Sequence, residues 1–337
     1  MTRVSGRLRR AAVAAAACAL ALALAAGWPG HRALLAGPDN DAARLPTGLR
    51  LDPAGHATPL GSMPLAMAWS PDSSRIAVLL CGFREQGLQI VDPVRGQVTQ
   101  TVLQPAAFLG LAFSPDGRSL FTSGGNQDVV YRYAWTGNTA TLADSVVLTR
   151  DGQVGNGARY PAGLAFSRDG SRLYVCENLA DSLAVVDPVT RRVVQRLPTG
   201  PYPYGVVVDR EGRVYVSAWG GSAVAVFHPA AAGELVLAGK ISVGPHPSAM
   251  ALDARRGRLY VASATHDRVA VVDLGLGAIT AELSVSPKGA PPEGGTPDAL
   301  ALSADGTRLY VGEADHNAVS VFDTGPAHTL VGRVPVE

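Results

Sequence analysis

Short apolar runs broken by polar turns recur along this chain from about residue 60 to its end. The stretch from Pro161 to Asp187 shows the unit most clearly. Gly163-Leu164-Ala165-Phe166-Ser167 is almost wholly apolar, as a strand buried on both faces is. Arg168-Asp169-Gly170 is turn chemistry: Asp bonds its own backbone and Gly accepts a positive φ. Arg172-Leu173-Tyr174-Val175 has the aromatic and β-branched content of a second strand. A polar loop over Glu177 to Asp181 leads to Leu183-Ala184-Val185-Val186, which ends at Asp187-Pro188, because Pro cannot donate to a ladder. Beyond Arg191-Arg192, the run Val193-Val194-Gln195-Arg196-Leu197 reads as a more polar fourth strand.

The same frame recurs at Ala66–Asp92, Leu109–Tyr133, Gly205–Phe227, Ala249–Asp273 and Ala299–Asp323. With Asp72, Asp116, Asp169, Glu211, Arg256 and Asp305 as markers, successive spacings are 44, 53, 42, 45 and 49 residues. Four strands at a period in the forties predict an all-β fold, a β-propeller of four-stranded blades. The apolar residues do not follow the three- and four-residue spacing of helical repeats. The blades fall at about 60–102, 103–148, 156–197, 199–241, 243–283 and 297–334. Ser286 to Gly295 reads as a Pro/Gly-rich surface insertion before the sixth. Leu49 to Gly61 matches the back half of a repeat, strands three and four. The expectation is therefore six full repeats plus a half blade, a seven-bladed type apparently incomplete in this chain. An open ring would expose strand edges. Truncation of a longer protein is one reading; closure at six blades, with the N-terminal hairpin at an edge, is the other.

Arg172-Leu173-Tyr174-Val175, Arg258-Leu259-Tyr260-Val261 and Arg308-Leu309-Tyr310-Val311, with the Ser/Asp-x-Asp-Gly turns, resemble the YVTN/YncE-type β-propeller family. The resemblance covers roughly residues 47–335. More narrowly, the lead-in Leu49-Arg50-Leu51-Asp52-Pro53-Ala54-Gly55 and the run from Cys81 to Gln89 resemble the N-terminal propeller of bacterial bifunctional proteins. Those proteins join a YncE-like propeller to an alkaline-phosphatase-like phosphoesterase domain. No residue here matches that second domain, so its chemistry is not carried over.

The first residues read as a leader. Arg3, Arg7, Arg9 and Arg10 precede the apolar run Ala11 to Ala26, and Ala23-Leu24-Ala25 offers a small-x-small cleavage site. A signal peptide over 1–27, a linker over 28–46 and a propeller over 47–337 follow, with a periplasmic or extracellular location. A membrane is expected only through an uncleaved leader. Formal net charge is +1, with no basic patch to suggest nucleic acid. Cys81 and Cys176 fall in non-adjacent blades, too far apart for a disulfide. No Cys/His spacing suggests zinc, and no metal or other cofactor is implied.

Propeller geometry sorts the loops. Those joining strands one to two and three to four share one face, and here they are repetitive Asp-Gly turns. Those joining strands two to three, and one blade to the next, share the other face and are varied, which is where function on a scaffold usually lives. The candidate ligand-binding residues on the varied face are Arg84, Glu85, Asn126, Glu177, Asn178, Tyr204, Trp219, His246, His266, Glu313 and His316. Phe108, Tyr160, Tyr202 and Asp298 lie in the blade-to-blade loops beside them. Each has a bland alternative. Tyr160-Pro161, Tyr202-Pro203 and His246-Pro247 recur at one frame position, as packing residues of the channel mouth would. His266 and His316 occupy near-equivalent loops, which repeat ancestry explains as well as a paired metal site does. Glu177 and Glu313 sit at matching strand-two exits in blades three and six. Trp219-Gly220-Gly221 is either a stacking platform or a loop plug.

No Gly-rich phosphate loop, Gly-x-Ser-x-Gly elbow or His-Glu-x-x-His stretch is present. The main expectation is a scaffold that binds a protein, peptide or small-molecule ligand without catalysis of its own. The alternatives are a lactonase-like hydrolase with its site at the channel mouth, since seven-bladed lactonases resemble this repeat family, and an accessory propeller of a phosphoesterase.

Overall fold

The computed structural model describes residues 55–149, 155–286 and 294–336. The leader, the linker and residues 47–54 lie outside them. The described chain forms six antiparallel sheets of four strands, each sheet a meander of consecutive strands. Blade one is β1 (Pro64–Trp69), β2 (Ile76–Cys81), β3 (Gln86–Asp92) and β4 (Gln97–Leu103). Blade two is β5 (Leu111–Phe113), β6 (Ser119–Ser123), β7 (Val129–Thr136) and β8 (Thr139–Val147). Blade three is β9 (Pro161–Phe166), β10 (Leu173–Glu177), β11 (Ser182–Asp187) and β12 (Arg192–Pro198). Blade four is β13 (Pro203–Val208), β14 (Val214–Ala218), β15 (Ala223–Pro229) and β16 (Leu235–Ser242). Blade five is β17 (Pro247–Asp253), β18 (Arg258–Ser263), β19 (Arg268–Asp273) and β20 (Ala278–Ser284). Blade six is β21 (Pro297–Leu302), β22 (Arg308–Glu313), β23 (Ala318–Asp323) and β24 (Leu330–Pro335).

First strands pack on first strands around the axis, in the order β1, β5, β9, β13, β17, β21. Glycine permits the close approach: a Cβ on Gly163 in β9 would meet the Tyr204 carbonyl oxygen of β13 at 2.5 Å. The second strands of blades three and four are buried along their whole length, Leu173–Glu177 and Val214–Ala218, whereas β22 of blade six leaves Tyr310 39% exposed. The pairing of strand three with strand four breaks register at one frame position in all six blades, for instance at Ile90/Val91, Val185/Val186 and Val321/Phe322. Such a bulge increases the local twist, and the fourth strands beyond it alternate or are exposed.

Five apolar clusters each seal one seam between neighbouring blades. One, for example, joins Tyr174, Cys176 and Val185 of blade three to Val214, Val216 and Phe227 of blade four. Among the described residues no such cluster joins blade six to blade one. Blade one turns only the small group Val78, Leu80 and Val91 toward that side. Met67 and Trp69 of β1 are 70% and 56% exposed. The half blade expected over 49–61 is not seen as strands: Gly55–Met63 contains none, and residues 49–54 are not described. The backbone N–H of Gly61 does donate to Gln89 Oε1 of β3 at 2.8 Å, so this segment touches blade one. Cys81 and Cys176 are free, and burial pushes both thiols up.

Candidate functional site at the channel mouth

Several polar groups of the varied face are already used as latches between loops. Asp128, Asp181 and Asp267 each open a third strand or sit just before it, in the left-handed region at φ 53°, 50° and 48°. The buried Asp128 carboxylate accepts the backbone N–H groups of Gly157, Ala158, Arg159 and Tyr160 at 2.8–3.2 Å. Asp181 accepts the Tyr202 N–H, and Asp267 accepts those of Gly295 and Thr296. Each carboxylate thus fixes the loop that enters the next blade. The residues these latches position, Tyr160, Tyr202 and Thr296, also have φ near 50° and each precedes the proline that opens an inner strand; His246 and Met63 share that conformation.

Glu177 and Glu313 belong to a second repeated device. Glu177 is fully buried, accepts a hydrogen bond from Ser182 Oγ at 2.7 Å, and receives Arg196 Nε on both oxygens at 3.0 Å, with Arg159 at 3.6 Å. The Arg196 guanidinium continues to the carbonyl of Leu148 in the preceding blade. Glu313 repeats this with Ser320, Arg333 and the Val285 carbonyl, and adds His316 Nδ1 at 2.7 Å. A buried carboxylate needs such partners. The two glutamates are therefore bolts through their own blades and are not brought together.

The other sequence candidates divide. Arg84 and Glu85 are exposed on the blade-one loop, beside Phe83 at 97% exposure. Asn126 is exposed on a short 3-10 turn. Asn178 Nδ2 donates to the Pro203 carbonyl at 3.0 Å and ties blade three to blade four. His266 and His316 do not meet. His266 instead approaches Thr265 Oγ1 through Nδ1 at 3.2 Å, and that hydroxyl lies 2.8 Å from His246 Nδ1. The His246 ring is 4.8 Å from Trp219, whose ring is 6.4 Å from Tyr202.

The channel mouth gathers groups from several blades. Phe108 stands edge-on to Tyr160 at 5.2 Å and to Tyr204 at 6.4 Å. Tyr204 of β13 and Asp298 of β21 occupy one frame position, directly after the proline that opens each inner strand. Asp298 is exposed to solvent on one side, while neighbouring protein atoms crowd its carboxyl on the other. That desolvation, helped by the charge of Asp315, raises its carboxyl above the ordinary range. Burial, then the Asp298 charge, pushes the Tyr204 phenol up, and burial with nearby Cys81 does the same for Tyr160. Asp315 accepts Thr296 Oγ1 at 2.5 Å. The mouth therefore holds a carboxylate whose proton affinity is raised and a phenol that feels its charge and stays protonated at neutral pH.

Asp298, Asp315, Thr265 and the bolt arginines were not among the sequence candidates. A signal for Asp298 exists: aligning the Pro-x pairs puts it level with Tyr204. No group of three or more His, Cys, Asp and Glu side chains is placed to hold a metal ion among the described residues. None of their helices is long and apolar enough to cross a membrane. On the opposite face a cleft of about 510 Å³ lies between the turns of blades two and three. Its charges are matched internally: Arg132 grips Asp144 through two bonds and Arg191 reaches the same carboxylate at 3.2 Å.

Residues 145–265, from the end of β8 to the loop after β18, match the family model described as the SMP-30/gluconolactonase/LRE-like region. An L-arabinolactonase of Azospirillum brasilense is 37% identical over 110 residues, 30% of this chain and 35% of that protein; the match spans about a third of the relative's length. Among solved structures, the periplasmic gluconolactonase PpgL of Pseudomonas aeruginosa superimposes with a TM-score of 0.64 at 20% identity, covering 81% of this chain and 85% of that one. Hydrazine synthase of Kuenenia stuttgartiensis gives a TM-score of 0.66 at 18% identity over 84% of this chain and 89% of that chain. At these identities the structural likeness shows the β-propeller fold alone.

Proposed function

We propose that this protein is a lactonase-like hydrolase that opens a small sugar-derived lactone at the channel mouth. The observation that carries the reading is the match of residues 145–265 to the gluconolactonase-type region, which includes Tyr160 and Tyr204 at the mouth. The curated relative, a sugar lactonase by name, supports the substrate class. These likenesses favour the catalytic alternative over a non-catalytic scaffold. A YncE-type ancestry within the same architecture rests on the Arg-Leu-Tyr-Val strands and the Asp-Gly turns. The basic and apolar leader, and a periplasmic neighbour of the same fold, support export to the periplasm.

The chemistry follows from the two groups at the mouth. Asp298 takes a proton from water as the water oxygen attacks the lactone carbonyl carbon. A carboxylate of raised pKa is the better base for this step near neutral pH. Negative charge builds on the carbonyl oxygen, and the Tyr204 hydroxyl donates to it. The bond from the carbonyl carbon to the ring oxygen breaks, Asp298 returns its proton to the leaving alkoxide, and a hydroxy acid departs. Among the described residues no three His, Cys, Asp or Glu side chains come together to hold a metal ion, and each step above is carried by Asp298, Tyr204 and water.

The test is proton release from five-carbon and six-carbon aldonolactones. The expected result is hydrolysis well above the spontaneous rate, lost in Asp298→Asn with the circular dichroism spectrum unchanged. A folded protein with no rate above background on either lactone size would overturn the assignment.

A further inference from the structure

Beyond the mouth, we propose that Trp219, Tyr202, His246, Thr265 and His266 form a separate binding subsite for a carbohydrate ring. The proposal rests on their own geometry and does not require the mouth to be catalytic.

Aromatic surface is on offer here. Tyr202 is 44% and Trp219 39% exposed, and their rings meet at 6.4 Å with a 68° angle. The indole lies 4.8 Å from the His246 ring. An exposed aromatic face is a natural seat for the C–H face of a sugar ring, which combines apolar area with a polar edge.

The loops are held rigid. Trp219 N–H donates to the Tyr202 carbonyl at 2.9 Å and Gly220 N–H to that of Pro201 at 3.0 Å. His246 N–H donates to the Gly221 carbonyl at 3.1 Å, and Ala264 N–H to that of His246 at 3.3 Å. Four loops from blades three to five are thereby stitched by main-chain bonds. Gly220 has no space for a Cβ against the Tyr202 ring, so only glycine lets the two aromatics share this corner. A platform fixed before binding loses little entropy when a ligand arrives.

Polar specificity comes from the histidine–threonine–histidine chain. The Thr265 hydroxyl has one proton, which it donates to one Nδ1; it then accepts from the Nδ1–H of the other ring. When both rings are neutral they are opposite tautomers. One Nε2 carries a hydrogen and donates, and the other is bare and accepts. A donor and an acceptor next to an indole face match vicinal hydroxyls, each of which both donates and accepts.

The probe is a set of methyl pyranosides of gluco, galacto and manno configuration, added to the intact protein. Indole fluorescence and saturation-transfer NMR report binding. Saturable binding is expected, weakened at least about tenfold in Trp219→Ala. In Thr265→Val, which keeps shape and breaks the tautomer lock, about fivefold weakening is expected. Absence of saturable binding with all three sugars overturns the proposal. So does an affinity that Trp219→Ala leaves unchanged, which would place the sugar elsewhere on the protein.

Discussion

The two faces of this propeller are built from the same repeat, yet they spend their polar groups differently. On the turn face, Ser70–Asp72, Ser114–Asp116, Ser167–Asp169 and Ser303–Asp305 form one motif four times, with Ser Oγ to Asp Oδ1 distances of 2.5–2.6 Å. Each Asp also accepts the backbone N–H two residues on, at 2.9–3.1 Å. Those hydrogen bonds hold the carboxylates low, to about 2 at Asp72, Asp169 and Asp305. On the varied face the latch carboxylates accept backbone N–H groups of the next loop, whereas desolvation raises the Asp298 carboxyl at the mouth. Repetition marks groups that serve the scaffold; a group whose charge the scaffold penalises is the one to suspect of chemistry.

The largest expected effect separates the faces by activity. Asp298→Asn should lower lactone hydrolysis by roughly a hundredfold or more. It should not destabilise the fold, and at pH 7 it should raise the urea midpoint slightly, because the ionised Asp298 is disfavoured in the folded state. Loss of activity together with a lower midpoint would remove Asp298 from the mechanism.

Next comes a test within the varied face. Glu177→Ala leaves Arg196 and Arg159 without the buried carboxylate they share, and should cost about 3 kcal/mol in urea unfolding. If Glu177 contacted substrate instead, KM or kcat would move while stability held. Smaller still, Asp169→Ala on the turn face removes bonds to Ser167 and Ser171 and should cost about 1 kcal/mol, with hydrolysis unchanged.

The blades were legible because turn chemistry and β-rich strands are local signals. Arg172-Leu173-Tyr174-Val175 and its copies are strands wherever their turns put them. The bulge shared by all six blades has no such signature, since it lies in runs such as Val185-Val186 that read as plain strand. The bolts were hidden by distance. Glu177 looks like loop polarity until Arg196, nineteen residues later, is seen to neutralise it. The recurrence of Glu ending strand two, then Ser in strand three, then Arg in strand four, at 177/182/196 and 313/320/333, was the available clue. Asp298 stood in the loop roster but not among the candidates, because the crowding and the Asp315 charge that raise its carboxyl come from neighbours met only in the folded chain. The pairing of His266 with His246 through Thr265 depends on two loops meeting in space.

The finest separation of the faces is by pH. For Asp72, Asp169 and Asp305 the folded pKa is depressed, so their contribution to stability is complete above the unfolded value near 4 and drains away as pH falls toward about 2. For Asp298 the folded pKa is raised, so its penalty is absent while it is protonated and sets in as pH climbs through the unfolded value toward the folded one. Urea midpoints from pH 7 down to pH 2 should therefore fall less steeply below pH 4 in a variant with all three turn aspartates changed to Asn. In Asp298→Asn the gain over the parent should appear only above pH 4. A triple variant that loses stability below pH 4 as steeply as the parent would mean that the turn hydrogen bonds do not distinguish folded from unfolded chain. The contrast between the faces would then rest on Asp298 alone.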